Sequence, residues 1–353
     1  MTVLLGGAAA VAVVAGLREL AWLVGPAFVA AVIVITVLPV QRWLRARGVP
    51  SWVATAALVV VVYGALLALA AVLVVSLAQL AATLPRYQDE ATALADSASR
   101  VLSSLGVDAD QLREMAADAD YGQAVTWAGD LLRSVTGVLS SLALLLTLLF
   151  FLAMEASGAG RRLALVAEDR PELVVALRGF AHSTRRYVAV STAFGLLTGV
   201  VDAIALALLG VPLALLWGLL VFITNYLPYV GFWIGLLPPT VLALLDGGWG
   251  LALVVALLYT VVNFVLTLLI EPKYIGDVVN LSVTVTLVTL VFWAWVLGSL
   301  GAVLAVPLTL LVKALLVDAD PRARWVDALL RSDRGIRAWP ARPAADDGDR
   351  PGR

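Results

Sequence analysis

Between Arg186 and Asp318 lie 131 residues with only six charged side chains: Asp202, Asp246, Glu271, Lys273, Asp277 and Lys313. A bilayer core is about 30 Å thick, so about 20 apolar residues cross it as a helix. The stretch has length for several crossings, yet Pro and Gly interrupt it: "NYLPYVGFWIGLLPP" at Asn225–Pro239, "EPKYIGD" at Glu271–Asp277 and "WAWVLGSLGAVLAVPLTLLVKALL" at Trp293–Leu316. Helix breakers at membrane depth are tolerated only where they face protein or a water-filled cavity. Secondary transporters place their sites at broken helices of this kind. The expected fold class is therefore an all-α polytopic membrane protein of about eight membrane helices, with broken or re-entrant segments in the C-terminal half.

Composition agrees. Hydrophobic residues make up 62% of the chain and charged ones 14%, against about 45–50% and 25% in soluble domains. With no Cys and a single His, His182, thiolate chemistry and His-based metal sites are not expected. The apolar residues 2–17 have no basic segment before them and run through Arg18-Glu19 into a second apolar run. They read as a short membrane helix rather than a signal peptide.

Uncharged runs at 2–16, 20–40, 52–79, 134–154, 187–209, 212–237 and 249–270 read as spans. The run 278–312 is too long for one crossing, and Gly298, Gly301 and Pro307 mark its expected breaks. Arginines set the orientation. Loop 41–50 holds Arg42, Arg45 and Arg47 with no acid, and loop 155–186 has six Arg against four acids. Segment 80–133 has nine acids and four Arg. The first two regions and the tail read as cytoplasmic, with both termini inside, and 80–133 as external. The expected division is N-terminal membrane helices (1–79), an acidic amphipathic helical segment (80–133), a membrane helix with a basic loop (134–186), a C-terminal transport core (187–317) and a largely disordered tail (318–353). Trp217, Trp233, Trp249, Trp293 and Trp295 are expected mostly as interface anchors.

Motifs for enzymatic chemistry are missing. The chain shows no P-loop and no HExxH, and "YIGD" at Tyr274–Asp277 lacks the first Gly of the intramembrane aspartyl protease pattern. No enzyme activity, cofactor, metal or nucleic-acid partner is expected. What remains is a set of polar residues at odds with their surroundings. An ionisable group inside a membrane costs about 2.5–3.5 kcal/mol on insertion scales and is a functional candidate by default. Asp202 fits that description, unless it sits near the external interface. Asn225, before the Pro228 break, and Asn263, in mid-span, line a solute path or bond across helices. Glu271, Pro272, Lys273, Gly276 and Asp277 form a break able to hold a cation or proton, or an ordinary interfacial loop. Gly195, Gly199, Gly231 and Gly235 have the spacing that lets helices approach closely.

Asn225–Gly231, Pro238-Pro239, Glu271-Pro272 with Gly276 four residues after the Pro, and Trp293–Pro307 with its two Gly resemble, in that order, the autoinducer-2 exporter family of bacterial membrane proteins. The likeness covers residues 180–317; the first half agrees in layout only. It implies a multi-pass inner-membrane transporter that hydrolyses no ATP and assembles as a homo-oligomer, with pentamers known in the family. It also implies either export of a small polar solute such as autoinducer-2 or sodium(lithium)/proton antiport. Its partners would be the lipid bilayer and a small polar solute, monovalent cation or proton. A non-transporting scaffold, recruiting partners through 80–133 and the tail, is the competing class.

Overall fold

The computed structural model describes residues 2–87, 121–270, 281–320 and 323–330, with isolated residues between 90 and 97. Among them no strand forms. A helix satisfies every backbone hydrogen bond within its own segment, which apolar surroundings demand. The elements are α1 (Thr2–Glu19), α2 (Ala21–Ala46), α3 (Ser51–Thr83), α4 (Tyr121–Asp169), α5 (Pro171–Leu208), α6 (Ala214–Thr224), α7 (Gly231–Asn263), α8 (Val283–Val303), α9 (Ala305–Lys313) and α10 (Arg324–Leu330). A 3₁₀ turn (Leu84–Tyr87) follows α3, and π turns extend α7 to Ile270 and α9 to Asp318. Six helices are long and apolar enough to cross a membrane among the described residues. Most of acidic segment 80–133 lies outside the described residues, but α3 runs past its start and α4 begins within it.

The run 212–237, expected as one span, is a hairpin instead. Leu213 takes a left-handed φ of 61° at the start of α6, which then runs antiparallel to α5. Gly218 meets Gly199 so closely that a Cβ on either would strike the other's carbonyl oxygen. Further along, the Asn225 Nδ2 donates to the Ser191 carbonyl at 3.1 Å. Eleven residues carry α6 about 16 Å inward. There Tyr229, at φ 65°, turns the chain back into α7. Gly248, at φ 71° and non-helical, divides α7. Its first half returns to the face from which α6 set out: the Tyr87 hydroxyl donates to Asp246 at 2.8 Å, and Tyr87, Leu209 and Leu213 pack against one apolar cluster around Leu206 and Val211. The second half then crosses as the expected span does.

A second hairpin joins α8 to α9. Gly298, at φ 69° and non-helical, breaks α8, a conformation only glycine takes cheaply. Trp293 Nε1 donates to Thr309 Oγ1 at 3.1 Å, linking the two legs. Pro307 does not break a helix here. It lies in the first turn of α9, where a missing N–H costs nothing. Trp217 and Trp293, expected as interface anchors, are each only 6% exposed, because the two hairpins fold them inward. Trp233, Trp249 and Trp295 stay exposed. Within the tail, expected largely disordered, α10 is an ordered helix held by Lys313, whose Nζ lies 3.0 Å from Asp327; the tail after Leu330 lies outside the described residues.

Candidate functional site

Asp202 and Thr198 are one helical turn apart on α5, so both side chains leave the same face. Tyr259 and Asn263 have the same spacing on the second half of α7. These pairs converge with Thr224, Asn225, Gly231 and Gly235 of the first hairpin around a cavity of about 30 Å³. That volume holds a water-sized guest or a bare ion, and not a sugar-sized solute.

The polarity of this cavity is unspent. Asp202 Oδ1, Thr198 Oγ1 and Tyr259 OH are buried without a hydrogen-bond partner, and the three residues are 2%, 3% and 2% exposed. Buried polar groups are ordinarily paired, and an uncompensated carboxylate is the most costly to bury. Three such atoms around one cavity are hydroxyl and carboxylate oxygens with the chemistry to hold a hydrogen-bonding or cationic guest. Asp202 is the only carboxylate lining it among the described residues. A single positive charge therefore balances the site, while a divalent ion would leave buried charge uncompensated.

The first hairpin is held in place from α5. Tyr187 OH donates to the Tyr226 carbonyl at 3.1 Å, and the Thr192 and Tyr226 hydroxyls share a hydrogen bond of 2.6 Å. With the Asn225–Ser191 bond, these contacts set Asn225 at the cavity wall. Pro228 lies within the turn itself. Gly195 lies against Asn225 and the Phe222 carbonyl, Gly199 against Gly218, Gly231 against the Thr224 carbonyl and Gly235 against Val221.

Of the sequence candidates, Asp202, Asn225, Gly231, Gly235 and Asn263 come together here. Gly298, Gly301 and Pro307 belong to the second hairpin, and Glu271, Pro272, Lys273, Gly276 and Asp277 lie outside the described residues. Sequence reasoning missed Thr198 and Tyr259. The signal was present: each is the polar partner, four residues earlier, of a candidate that was found. A larger cleft of about 630 Å³ beside the Gly298 turn reaches Trp22, Leu69, Leu145 and Ile223, and among the described residues no ionisable side chain lines it. It offers room without charge.

The chain matches the AI-2E family transporter profile over residues 8–319. It is 31% identical to the AI-2 transport protein TqsA of Escherichia coli (strain K12), over 86% of this chain and 88% of that one. It is likewise 31% identical to YhhT of the same organism, over 89% of each. A Haemophilus influenzae relative is 29% identical over 91% of this chain and 94% of its own. The chain belongs to the AI-2E transporter family, a bacterial family of multi-pass membrane transporters.

Proposed function

We propose that this member of the AI-2E transporter family is a secondary transporter that exports a small polar solute of the autoinducer-2 type. Its driving ion, a proton or a small monovalent cation, occupies the Asp202 cavity. The observation that carries this reading is the convergence of Asp202 Oδ1, Thr198 Oγ1 and Tyr259 OH, all buried and unpaired, on a cavity walled by a broken helix. The solute class comes from the TqsA likeness.

The arrangement has a mechanism. A cation or proton at Asp202 cancels a charge that is costly to bury, and the Tyr259 and Thr198 hydroxyls are hard oxygen donors beside it. Occupancy then favours the packed hairpin, and loss of the guest leaves a bare carboxylate that favours hydration. That difference in affinity between two arrangements is what alternating access requires. Because the first hairpin forms one wall, its movement against α5 opens the site. A second reading, sodium(lithium)/proton antiport, has its own support: the cavity is too small for an organic solute and suits an ion alone.

Flux into proteoliposomes under imposed pH or sodium gradients tests both. Autoinducer-2-type solute movement that depends on the gradient and disappears in Asp202→Asn supports the exporter. Sodium-dependent proton movement, lost in the same variant without any solute flux, selects antiport. Solute flux that is unchanged in Asp202→Asn overturns the role of this cavity.

A further inference from the structure

The chain turns from α1 into α2 through Arg18, Glu19 and Leu20. Helix α2 is one of the candidate membrane spans, and its far end carries Arg42 and Arg45. From Glu19 to Arg42 a helix rises about 35 Å, slightly more than a bilayer core of about 30 Å. Arg18 and Glu19 therefore stand at headgroup level on the membrane face opposite those arginines.

Below them, a cleft of about 580 Å³ separates α1 from α8. Arg18 and Glu19 line one end, and Val11, Val14, Phe292 and Trp295 line most of the rest. Val11 is 69% exposed and Trp295 54%, so the cleft opens onto lipid. A cavity of about 150 Å³ takes up benzene; this one has room for a hydrocarbon chain.

The charges at its mouth are placed. The Arg18 guanidinium carbon lies 4.7 Å from the centre of the Trp295 ring. That cation–π contact holds the charge over the cleft and commits none of its N–H donors to an acceptor. Neither Arg18 nor Glu19 has an ion-pair partner among the described residues, although they are neighbours in sequence. The cleft thus presents a fixed cation and a carboxylate together above an apolar wall. A complementary guest carries an anion and a cation close together above a hydrocarbon chain.

We propose that this cleft binds a phospholipid with a primary ammonium headgroup, of the phosphatidylethanolamine type. The phosphate accepts charge-assisted hydrogen bonds from Arg18, the ammonium donates to Glu19, and one acyl chain lies along Val11, Val14 and Phe292. A quaternary ammonium has no N–H to donate to Glu19, and a glycerol headgroup brings no cation, so both bind less well. The cleft shares no lining residue with the Asp202 cavity, and the inference holds whichever solute is carried.

Photocrosslinking of the full-length protein in phosphatidylcholine nanodiscs tests this. The probes are phosphatidylethanolamine, phosphatidylcholine and phosphatidylglycerol, each with a diazirine in the same acyl chain, and the labelled peptides are identified by mass spectrometry. The expected result is that phosphatidylethanolamine labels the peptides of α1 and α8 most strongly. Glu19→Gln should lower that labelling to the phosphatidylcholine level, and Glu19→Asp should restore the preference. Arg18→Gln should weaken labelling by all three lipids roughly fivefold. Equal labelling by the three probes overturns the recognition of the headgroup, and labelling that misses both helices overturns the site. A changed subunit number in Arg18→Gln or Glu19→Gln, with lipid labelling unaltered, overturns it in favour of a contact between copies of the chain. Both side chains are exposed, so these variants keep the packing of α1, and a melting temperature equal to the natural chain's confirms that the labelling reads a folded protein.

Discussion

The turns at Asn225–Val230 and Gly298–Leu304 interrupt the C-terminal core by the same means and surround themselves differently. Each relies on one residue with a left-handed backbone, Tyr229 or Gly298. Each presses a glycine against a main-chain carbonyl, Gly231 on Thr224 and Gly301 on Trp293. Around the first turn stand a buried carboxylate, two unpaired hydroxyls and two asparagines. Around the second stand Val32, Leu290, Trp293, Val296, Leu297, Leu304, Ala305 and Leu308. A broken helix is thus a way of bringing the chain back through apolar surroundings. It becomes a site only where the neighbouring helices point polar groups at the break.

Substitutions at matched positions test that contrast. The largest effect is expected from Gly231→Ala and Gly301→Ala. In both, the new Cβ overlaps a backbone carbonyl that cannot yield, and the expected cost exceeds about 4 kcal/mol. Loss of the monodisperse species in detergent should accompany both variants; if either keeps its melting temperature, the two turns are not built alike. Asp202→Asn comes next and separates them. Coupled flux should fall about tenfold or more, equivalent to about 1.4 kcal/mol, while the melting temperature holds or rises because a neutral amide is cheaper to bury. Among the described residues, the cleft beside the second turn has no carboxylate in its lining to serve as a counterpart.

Gly298→Ala has open space around its Cβ and meets only backbone strain, about 1 to 3 kcal/mol, which thermal unfolding in detergent would show. Thr309→Val, which leaves the buried Trp293 N–H unpaired, should cost about 1 kcal/mol without changing coupling; an altered ion dependence would mean that the second hairpin also serves the site. The smallest effect lies at the Tyr87–Asp246 contact. Burial, then the hydrogen bond to Asp246 and its charge, push the Tyr87 phenol up to about 12. A raised folded value means that this contribution is fully present below the ordinary tyrosine value of about 10 and is lost as pH rises towards 12. Tyr87→Phe should remove that pH dependence, followed by thermal unfolding at rising alkalinity.

Much of the fold could be read from residue order. Long uncharged runs announce helices that cross apolar surroundings, and the positions of Pro228, Gly298 and Gly301 announce interruptions. The hairpin between 212 and 247 could not be read so directly. Its first arm and the start of its second form one apolar run, and a left-handed Leu213 or Tyr229 has no signature in composition. The site was half legible. Asp202, Asn225 and Asn263 stand out as polar residues in apolar helices, whereas Thr198 and Tyr259 gain meaning only beside them. Trp217 and Trp293 misled because an indole suits an interface and a core equally well, and only the packing distinguishes the two.

The sequence by itself determined that the chain is helical, spans a membrane and breaks its helices in the C-terminal half. Backbone hydrogen bonding in an apolar medium admits few other answers, and hydropathy is a local property. The tertiary structure alone decided that Asp202 of α5, Tyr259 of α7 and the turn before α7 share one wall. That outcome depends on the close approach of α5 and α6 at Gly199 and Gly218 and on the direction in which the hairpin returns. Both arise from contacts between residues far apart in the chain, which no local pattern encodes.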